Sequence, residues 1–203
     1  MPEFDAALLL RLAACYFIGS IPFAVLAMMG TGIDILKEGS GNPGFNNVLR
    51  FSKWRSIICL IGDLGKGLFA IVLVTRLWPA TSAPPTNTLL WIYGLAAILG
   101  HCFSPWLKFN GGKGIATSTG VMLYVYPWYV PPMVLIYVFL RWLGKKRGWL
   151  EAGTRASLTG YALFVLILFI REDLVSAAFG LGFFLFVAWR HKKNFENILA
   201  ARA

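Results

Sequence analysis

Two short glycine-rich stretches of the chain carry residues that could bind phosphate: Gly39-Ser-Gly-Asn-Pro-Gly44 and Gly111-Gly-Lys-Gly114. A bound phosphate requires backbone N–H groups and a nearby cation. Three glycines and a proline prevent the first stretch from forming a regular helix, so its backbone can approach a ligand closely. The first stretch therefore predicts an anion-binding loop, whose candidate contacts are Ser40, Gly41, Asn42 and Gly44.

A helix start is predicted directly after this loop. Asn46, Asn47 and Arg50 follow at helical spacing. A phosphate could therefore meet both the first turn of a helix and a guanidinium, which makes Asn47 and Arg50 further candidate contacts. The alternative is an ordinary glycine-rich turn that binds nothing, because such turns are common.

The second stretch opens a predicted helix and carries Lys113. It differs from a P-loop, GxxxxGK[ST], which would need glycine at Leu107 and Ser or Thr at Gly114. A glycine turn at a helix start still presents N–H groups, the helix dipole and an ammonium to an anion. The candidate phosphate contacts are Gly111, Gly112, Lys113 and Gly114. The alternative is a helix start whose lysine reaches lipid headgroups.

Charged and polar residues inside the apolar segments form a second group of candidates. Asp63 and Lys66 are three residues apart and therefore share a helix face. A charge within a span is costly and faces either its partner or a polar interior. For Lys66 both a structural ion pair and a substrate contact stay open. His101 ends a glycine-rich apolar segment and could be a base or a satisfied interface residue.

Three candidates lie in the C-terminal part of the chain. His191 follows the last apolar segment, and Asn194 comes three residues later. Together they could cap a cytoplasmic site, while a basic tail at anionic headgroups is the alternative. Ser157 begins the sixth apolar segment, where it could simply be an N-cap.

The sequence contains no signature of a metal-dependent or serine-nucleophile enzyme. HEXXH, GxSxG and clusters of metal ligands are missing. Neither histidine has an aspartate five residues later, so a histidine–carboxylate base is not evident. We expect no cofactor and no metal, and any chemistry would depend on positioning and electrostatics.

The elements that must position these residues are apolar. The chain of 203 residues is 58% hydrophobic and its mean hydropathy is +0.66, which favours a multi-span membrane protein. The predicted fold is all-α, with seven transmembrane helices in a single domain over residues 1–203. The predicted spans are Ala7–Met29, Ser56–Trp78, Thr88–Leu107, Ile115–Pro127, Trp128–Leu143, Leu158–Ile170 and Leu174–Trp189. Six spans with one long kinked helix through Pro127 are the alternative.

The distribution of basic residues predicts the orientation of these spans. The net charge is +10, but the basic residues lie between apolar runs, which is typical of cytoplasmic loops and does not favour nucleic-acid binding. Of the 19 Lys and Arg residues, those on the opposite side are only Arg11, Arg76 and Arg171. We expect the N-terminus outside, the C-terminus in the cytoplasm, and both glycine-rich stretches on the cytoplasmic face.

Taken together, these motifs resemble the bacterial glycerol-3-phosphate acyltransferases that use acyl-phosphate as donor. The matching elements are Gly19-Ser-Ile-Pro-Phe23, Gly39–Gly44 with Asn47-Val-Leu-Arg50, Asp63 with Lys66-Gly67, Gly100-His101, Phe109–Thr117, and Arg190-His191 with Asn194. The resemblance implies a seven-helix enzyme of the bacterial inner membrane whose active site faces the cytoplasm. It would make lysophosphatidate from acyl-phosphate and glycerol 3-phosphate among membrane lipids, and we expect a monomer.

The resemblance also implies roles for individual residues. The family's phosphate loop falls at Gly111–Gly114 with Lys113, its Ser and Arg contacts at Ser40 and Arg50, its tail histidine at His191 and a helix-opening serine at Ser157. The implied catalytic residues are Lys113, Arg50, Ser40 and His191. The chain departs from the family where Gly44-Phe-Asn-Asn47 replaces the usual Gly-Ala-Thr-Asn, and in a tail that lacks a late glycine–glutamate pair.

The mechanism that we expect is direct acyl transfer. The C1 hydroxyl of glycerol 3-phosphate attacks the acyl-phosphate carbonyl and phosphate leaves, while a substrate phosphate oxygen or His191 accepts the proton. Two alternatives stay open: a transporter of phosphate or organic anions, and a non-catalytic homologue that binds lipid.

Overall fold

The computed structural model describes residues 6–78 and 85–201, and every regular element within them is a helix. The α-helices are α1 (Ala6–Ser20), α2 (Phe23–Met28), α3 (Phe45–Phe51), α4 (Lys53–Val72), α5 (Asn87–Cys102), α6 (Ile115–Val125), α7 (Val130–Lys146), α8 (Ala152–Arg171), α9 (Leu174–Arg190) and α10 (Lys192–Ala200). A π-helical turn, Leu73–Leu77, continues α4, and a 3₁₀ turn, Pro105–Leu107, follows α5. The predicted all-α fold is confirmed for the described residues.

Four helical segments are long and apolar enough to cross a bilayer. They are Ala6–Met28, Lys53–Leu77, Asn87–Leu107 and Ala152–Arg171. A fifth arises only if α9 and α10, which are bent by 55°, count as one span. Each of the seven predicted segments overlaps a helix, but the number of spans stays a prediction. Around Pro127 the chain is not helical, since α6 ends at Val125 and α7 begins at Val130.

The described residues form two compact units, the first ending at Val125 and the second beginning at Tyr126. The first unit contains α1 to α6, and the second contains α7 to α10. The single domain expected for residues 1–203 stays a prediction.

In the first unit, glycines allow two pairs of helices to touch through their backbones. A Cβ atom added at Gly19 or Gly100 would lie 2.0 Å from a carbonyl oxygen of the opposing helix, where α1 crosses α5. A Cβ atom added at Gly67 or Gly120 would lie 2.1 and 2.0 Å from a carbonyl oxygen where α4 crosses α6. Small residues at such crossings let membrane helices approach closely. Because the helices touch at these glycines, the positions of the polar residues beside them are fixed as well.

Two apolar clusters fill the remaining space of the first unit. One joins α1, α4, α5 and α6 and consists of Leu8, Cys15, Ala70, Ile71, Val74, Leu90, Tyr93, Ala97 and Val121. The other joins α2, α3 and α4 and consists of Ala24, Ala27, Met28, Ile35, Val48 and Cys59. The second cluster anchors both ends of the first glycine-rich stretch, because Ile35 precedes that stretch and Val48 follows it.

The second unit is built on α8, which packs against both α7 and α9. Gly160 of α8 allows close approach to α7, because an added Cβ atom would lie 2.9 Å from the carbonyl oxygen of Met133. At one end of this unit, the Tyr129 hydroxyl donates to Glu172 Oε1 at 2.6 Å. Asp173 caps α9 by accepting the N–H of Ser176 at 2.9 Å.

Candidate functional site

The first glycine-rich stretch is a loop organised by Asn47. Its Oδ1 accepts the backbone N–H of Ser40 at 2.9 Å, and its Nδ2 donates to the carbonyls of Ile35 and Glu38, both at 3.0 Å. Only 1% of Asn47 is exposed. Both side-chain N–H donors of Asn47 are thus used within the loop, so Asn47 shapes the loop. A phosphate contact by Asn47 stays a prediction.

The backbone of the same loop is also largely satisfied from within. The N–H of Gly41 donates to Glu38 and that of Gly44 donates to Asn42. Gly41 has φ +66°, a left-handed conformation that glycine adopts without strain. Gly41 and Gly44 therefore set the path of the chain with N–H groups that are bonded within the loop, and their phosphate contacts stay predictions. The helix that follows, α3, has only seven residues.

The candidate ligand contacts that remain at the first loop are side chains. The Ser40 hydroxyl and the Arg50 guanidinium are exposed, and neither forms a hydrogen bond or an ion pair with any residue that the structure describes. Arg50 extends beside the loop, since a Cβ atom added at Gly39 would lie 3.3 Å from Arg50 Cδ. Asn42 Nδ2 lies near Gly44, where an added Cβ atom would be 3.0 Å from it.

The second glycine-rich stretch lies directly on the C-terminal end of α5. The N–H of Gly111 donates to the Cys102 carbonyl at 3.0 Å, and the N–H of Gly112 donates to the His101 carbonyl at 3.2 Å. These bonds satisfy carbonyls that a helix end leaves without a partner. Both N–H groups therefore cap α5, and the phosphate contact expected of Gly111 and Gly112 stays a prediction.

The far end of this loop begins the next helix. Gly114 has φ +94°, and its carbonyl begins α6 by accepting the Ser118 N–H at 2.8 Å. Its own N–H donates to no described residue, and the first N–H groups of a helix lack intrahelical acceptors. Lys113 is half-buried beside this helix start. Lys113 therefore directly precedes the start of α6, and its contact with a phosphate stays a prediction.

The two glycine-rich stretches touch each other. A Cβ atom added at Gly112 would lie 3.1 Å from the Pro43 carbonyl oxygen. Residues about 70 positions apart in the sequence are thus brought into van der Waals contact. The two stretches, for which the sequence predicted only a common membrane face, therefore meet through their backbones.

Behind this contact lies a buried cluster of charged and polar side chains. Asp63 Oδ1 is 2.8 Å from Lys66 Nζ and 3.5 Å from His101 Nδ1. Lys66 Nζ also donates to the Ile21 carbonyl at 2.8 Å, and Cys59 Sγ donates to Asp63 Oδ2 at 3.6 Å. Of the two alternatives for Lys66, the structure therefore contains the ion pair, while a substrate contact stays a prediction.

A small cavity lies where this cluster meets the two loops. It is lined by Ser20, Pro43, Asp63, Lys66, His101 and Gly112. No group of three or more His, Cys, Asp and Glu residues within 6–78 and 85–201 is arranged to hold a metal ion.

A hydrogen-bond network that the sequence analysis missed ties the end of α1 to the segment after α5. Ser104 Oγ donates to the Ser20 carbonyl at 2.7 Å, and Trp106 Nε1 donates to Ser20 Oγ at 2.9 Å. The Tyr16 hydroxyl donates to the Phe103 carbonyl at 2.7 Å. The pairing of these residues could not be inferred, because more than 80 positions separate the partners.

The second unit holds the other three candidates. His191 Nδ1 is 2.8 Å from the Val187 carbonyl, and the residue is buried at the junction of α9 and α10. Ser157 Oγ donates to the Thr154 carbonyl at 3.1 Å. Its predicted N-cap position is wrong, because α8 already begins at Ala152 and Ser157 lies in its second turn.

Asn194 contacts a residue that the sequence analysis did not single out. Its Nδ2 donates to Glu151 Oε2 at 2.6 Å, and Asn197 Nδ2 donates to Glu151 Oε1 at 3.1 Å. Glu151 therefore connects the first turn of α10 to the start of α8. A ligand contact by Asn194 stays a prediction.

Comparison with known proteins gives consistent matches over nearly the whole chain. A family model described as Glycerol-3-phosphate acyltransferase matches residues 9–201. A Glycerol-3-phosphate acyltransferase of Laribacter hongkongensis is 36% identical, covering 93% of this chain and 91% of its own. That of Geobacillus kaustophilus is 37% identical, covering 95% and 92%.

The fold also matches solved structures. PlsY (YgiH), described as an integral membrane glycerol 3-phosphate acyltransferase, matches in its glycerol 3-phosphate form with a TM-score of 0.82 and 26% identity, covering 97% of this chain and 94% of that one. Its lysophosphatidic acid form matches with a TM-score of 0.79 and 27% identity over the same shares of the two chains. This similarity and the apolar helices show that the chain is an integral membrane protein.

Proposed function

The chain belongs to the glycerol-3-phosphate acyltransferase family, and from this premise we propose that it transfers an acyl group from acyl-phosphate to the 1-hydroxyl of sn-glycerol 3-phosphate. The products are lysophosphatidate and inorganic phosphate. The observation that carries the proposal is the contact of Gly112 with Pro43. It brings the loop that carries Lys113 against the loop that carries Ser40 and precedes Arg50.

Binding of the two phosphate groups falls to the cations and donors at this contact. The Arg50 guanidinium and the Ser40 hydroxyl have no partner among the described residues, and both residues are exposed. The Lys113 ammonium and the start of α6 supply positive charge and N–H donors on the other side. Neither the buried ion pair of Lys66 nor the internally bonded N–H groups of Gly41, Gly44, Gly111 and Gly112 are needed for this role.

In the reaction, the C1 oxygen of glycerol 3-phosphate forms a bond to the acyl carbon. The bond between that carbon and the bridging phosphate oxygen breaks, and the electron pair leaves with the phosphate. Lys113 and Arg50 neutralise the charge that develops on this leaving group. The donor is already activated, so an oxygen of the substrate phosphate suffices to accept the hydroxyl proton. His191 is the alternative acceptor of this proton. Substitution of His191, Asn194 or Ser157, followed by the acyl-transfer assay, tests the role of each residue.

The proposed placement is a seven-span monomer of the bacterial inner membrane, folded as one domain, with the N-terminus outside and the site facing the cytoplasm. The excess of basic residues in the loops of one side supports it. A single cysteine placed at Gly148, in the basic loop after α7, in a variant without Cys15, Cys59 and Cys102, is expected to resist an impermeant thiol reagent in intact cells. Labelling without permeabilisation would contradict the orientation.

The test of the function uses purified protein in detergent with palmitoyl-phosphate and glycerol 3-phosphate. Phosphate and lysophosphatidate are expected in equal amounts, and Lys113→Ala should lower the rate about 100-fold or more. Lys37→Ala is the matched control, because Lys37 is an exposed lysine whose Asp34 partner lies 3.3 Å away. It should leave the rate unchanged.

The same preparation separates the alternatives. A wild-type rate in folded Lys113→Ala would exclude the proposed role of that lysine. Uptake of phosphate by proteoliposomes without product would indicate a transporter. Binding of lysophosphatidate without turnover would indicate a non-catalytic homologue.

A further inference from the structure

His101 is held between a fixed carboxylate and the second glycine-rich loop. Its Nδ1 faces Asp63 Oδ1 at 3.5 Å. On the opposite side of the ring, a Cβ atom added at Gly112 would lie 2.2 Å from Nε2 and 2.8 Å from Cε1. The same residue accepts the Gly112 N–H through its backbone carbonyl at 3.2 Å. His101 therefore contacts one glycine with both its ring and its backbone.

The carboxylate that faces His101 is itself immobilised. Asp63 accepts from Lys66 and Cys59, and Lys66 is tied in turn to the Ile21 carbonyl. The side chains of Asp63 and Lys66 are only 4% and 2% exposed. Because Lys66 already neutralises Asp63, the histidine is not needed to balance the buried charge. Its contact with Asp63 instead restrains the plane and tautomer of the ring, as a carboxylate does behind many functional histidines.

The position of Gly112 decides where the next residue, Lys113, is placed. Gly112 has no side chain of its own to pack, and it is confined between the His101 ring and the Pro43 carbonyl. A lysine whose ammonium must meet a phosphate loses effectiveness if its backbone moves by about 1 Å. The ring is thus one wall of the slot that locates the lysine.

We propose that His101, oriented by Asp63, is a positioning residue that fixes Gly112 and thereby places Lys113 for phosphate binding. The inference rests on the proposed function for its catalytic consequence, but the placement of the loop by the ring is a property of the folded chain. Because both ring nitrogens face protein groups, His101 is not proposed as the base of the reaction.

The informative variant is His101→Asn. Its amide nitrogen can take the place of Nδ1 beside Asp63, while the space next to Gly112 is vacated. We expect faster amide hydrogen exchange in the peptide that contains Gly111–Gly114, with unchanged exchange in α4 beside Asp63. The catalytic expectation is a fall in kcat/KM of about 10-fold or more, with melting in detergent unaltered.

A double-mutant cycle with Gly112→Ala supplies the decisive comparison. The added methyl group overlaps the ring in the wild-type chain, whereas in His101→Asn only its 3.1 Å approach to the Pro43 carbonyl oxygen remains. Gly112→Ala alone should therefore disturb the loop, and in the His101→Asn background it should add little. Independent effects of the two substitutions, or unchanged exchange of the loop in His101→Asn, would overturn the proposal.

The two readouts keep the two proposals apart. If the wild-type protein shows no acyl transfer, the exchange measurements still decide whether the ring places the loop. If transfer is observed but the loop is insensitive to the ring, only the positioning role fails. Lys37→Ala serves as the control in both measurements, because the Lys37 side chain is exposed on a turn and pairs with Asp34.

Discussion

The carboxylate of Glu151 accepts a hydrogen bond from the side-chain amide of Asn194, with 2.6 Å between Oε2 and Nδ2. Glu151 stands at the start of α8 with a φ of +55°, an uncommon conformation for a residue other than glycine. Its second oxygen accepts from Asn197 at 3.1 Å. One carboxylate thus anchors α10 to α8 within the second unit and restrains the short segment that contains His191.

This anchor predicts coupled effects of Glu151→Ala and Asn194→Ala. Each substitution should lower the free energy of unfolding in mixed micelles, because a hydrogen bond to a charged group is lost. Together they should lower it by about 1 kcal/mol less than the sum of the two single effects. Asn197→Ala loses the longer hydrogen bond to Glu151, so its coupling with Glu151→Ala should be smaller. Strict additivity would show that the observed contact contributes nothing to stability.

The glycine crossings predict a sharp contrast between neighbouring positions of α4. Gly67→Ala would place a methyl group 2.1 Å from the Thr117 carbonyl oxygen. We therefore expect a loss of about 3 kcal/mol or a failure to fold, since the backbones of α4 and α6 must separate. Gly65→Ala is the matched control, because nothing lies within 4 Å of its added Cβ atom. It should be neutral or slightly stabilising, and equal effects at both positions would contradict the observed crossing.

Two arginines five positions apart should separate function from stability. Arg50 has no partner among the described residues, whereas Arg55 donates to the carbonyls of Ala27 and Met29. Arg50→Ala should lower kcat/KM about 100-fold with an unchanged melting temperature. Arg55→Ala should lower the melting temperature, because two carbonyls lose their donor. An Arg50→Ala enzyme with wild-type kcat/KM would remove Arg50 from the site.

The cap of α9 predicts a pH-dependent contribution to stability. Hydrogen bonds from the backbone and hydroxyl of Ser176 lower the pKa of Asp173 below its ordinary value. The stabilisation is therefore fully present above the unfolded-state pKa of about 3.9 and is lost as the pH falls through the lower folded-state value. Asp173→Asn keeps a capping oxygen but does not titrate. The difference in melting temperature between wild type and this variant should shrink towards acid pH, and a constant difference would contradict the assignment.

Much of the fold could be predicted from the sequence because local patterns are sufficient for it. A backbone in hydrocarbon must satisfy its own hydrogen bonds, so long apolar runs predict helices, and the helices occur where those runs lie. The spacing of Asp63 and Lys66 likewise required only helical geometry to predict that they share a face. The glycine–proline composition of residues 39–44 was enough to predict a non-helical loop.

The tertiary structure alone decided which donors of the site remain available. The sequence shows that Gly111 and Gly112 carry N–H groups, but only the fold places the end of α5 where it accepts them. In the same way, the sequence predicts Asn47 as a ligand contact. Only the fold shows that its side-chain amide donates to the carbonyls of Ile35 and Glu38 at 3.0 Å. A hydrogen-bond partner is chosen by proximity in space, and for these groups proximity arises from helix packing between distant parts of the chain, which local spacing does not encode.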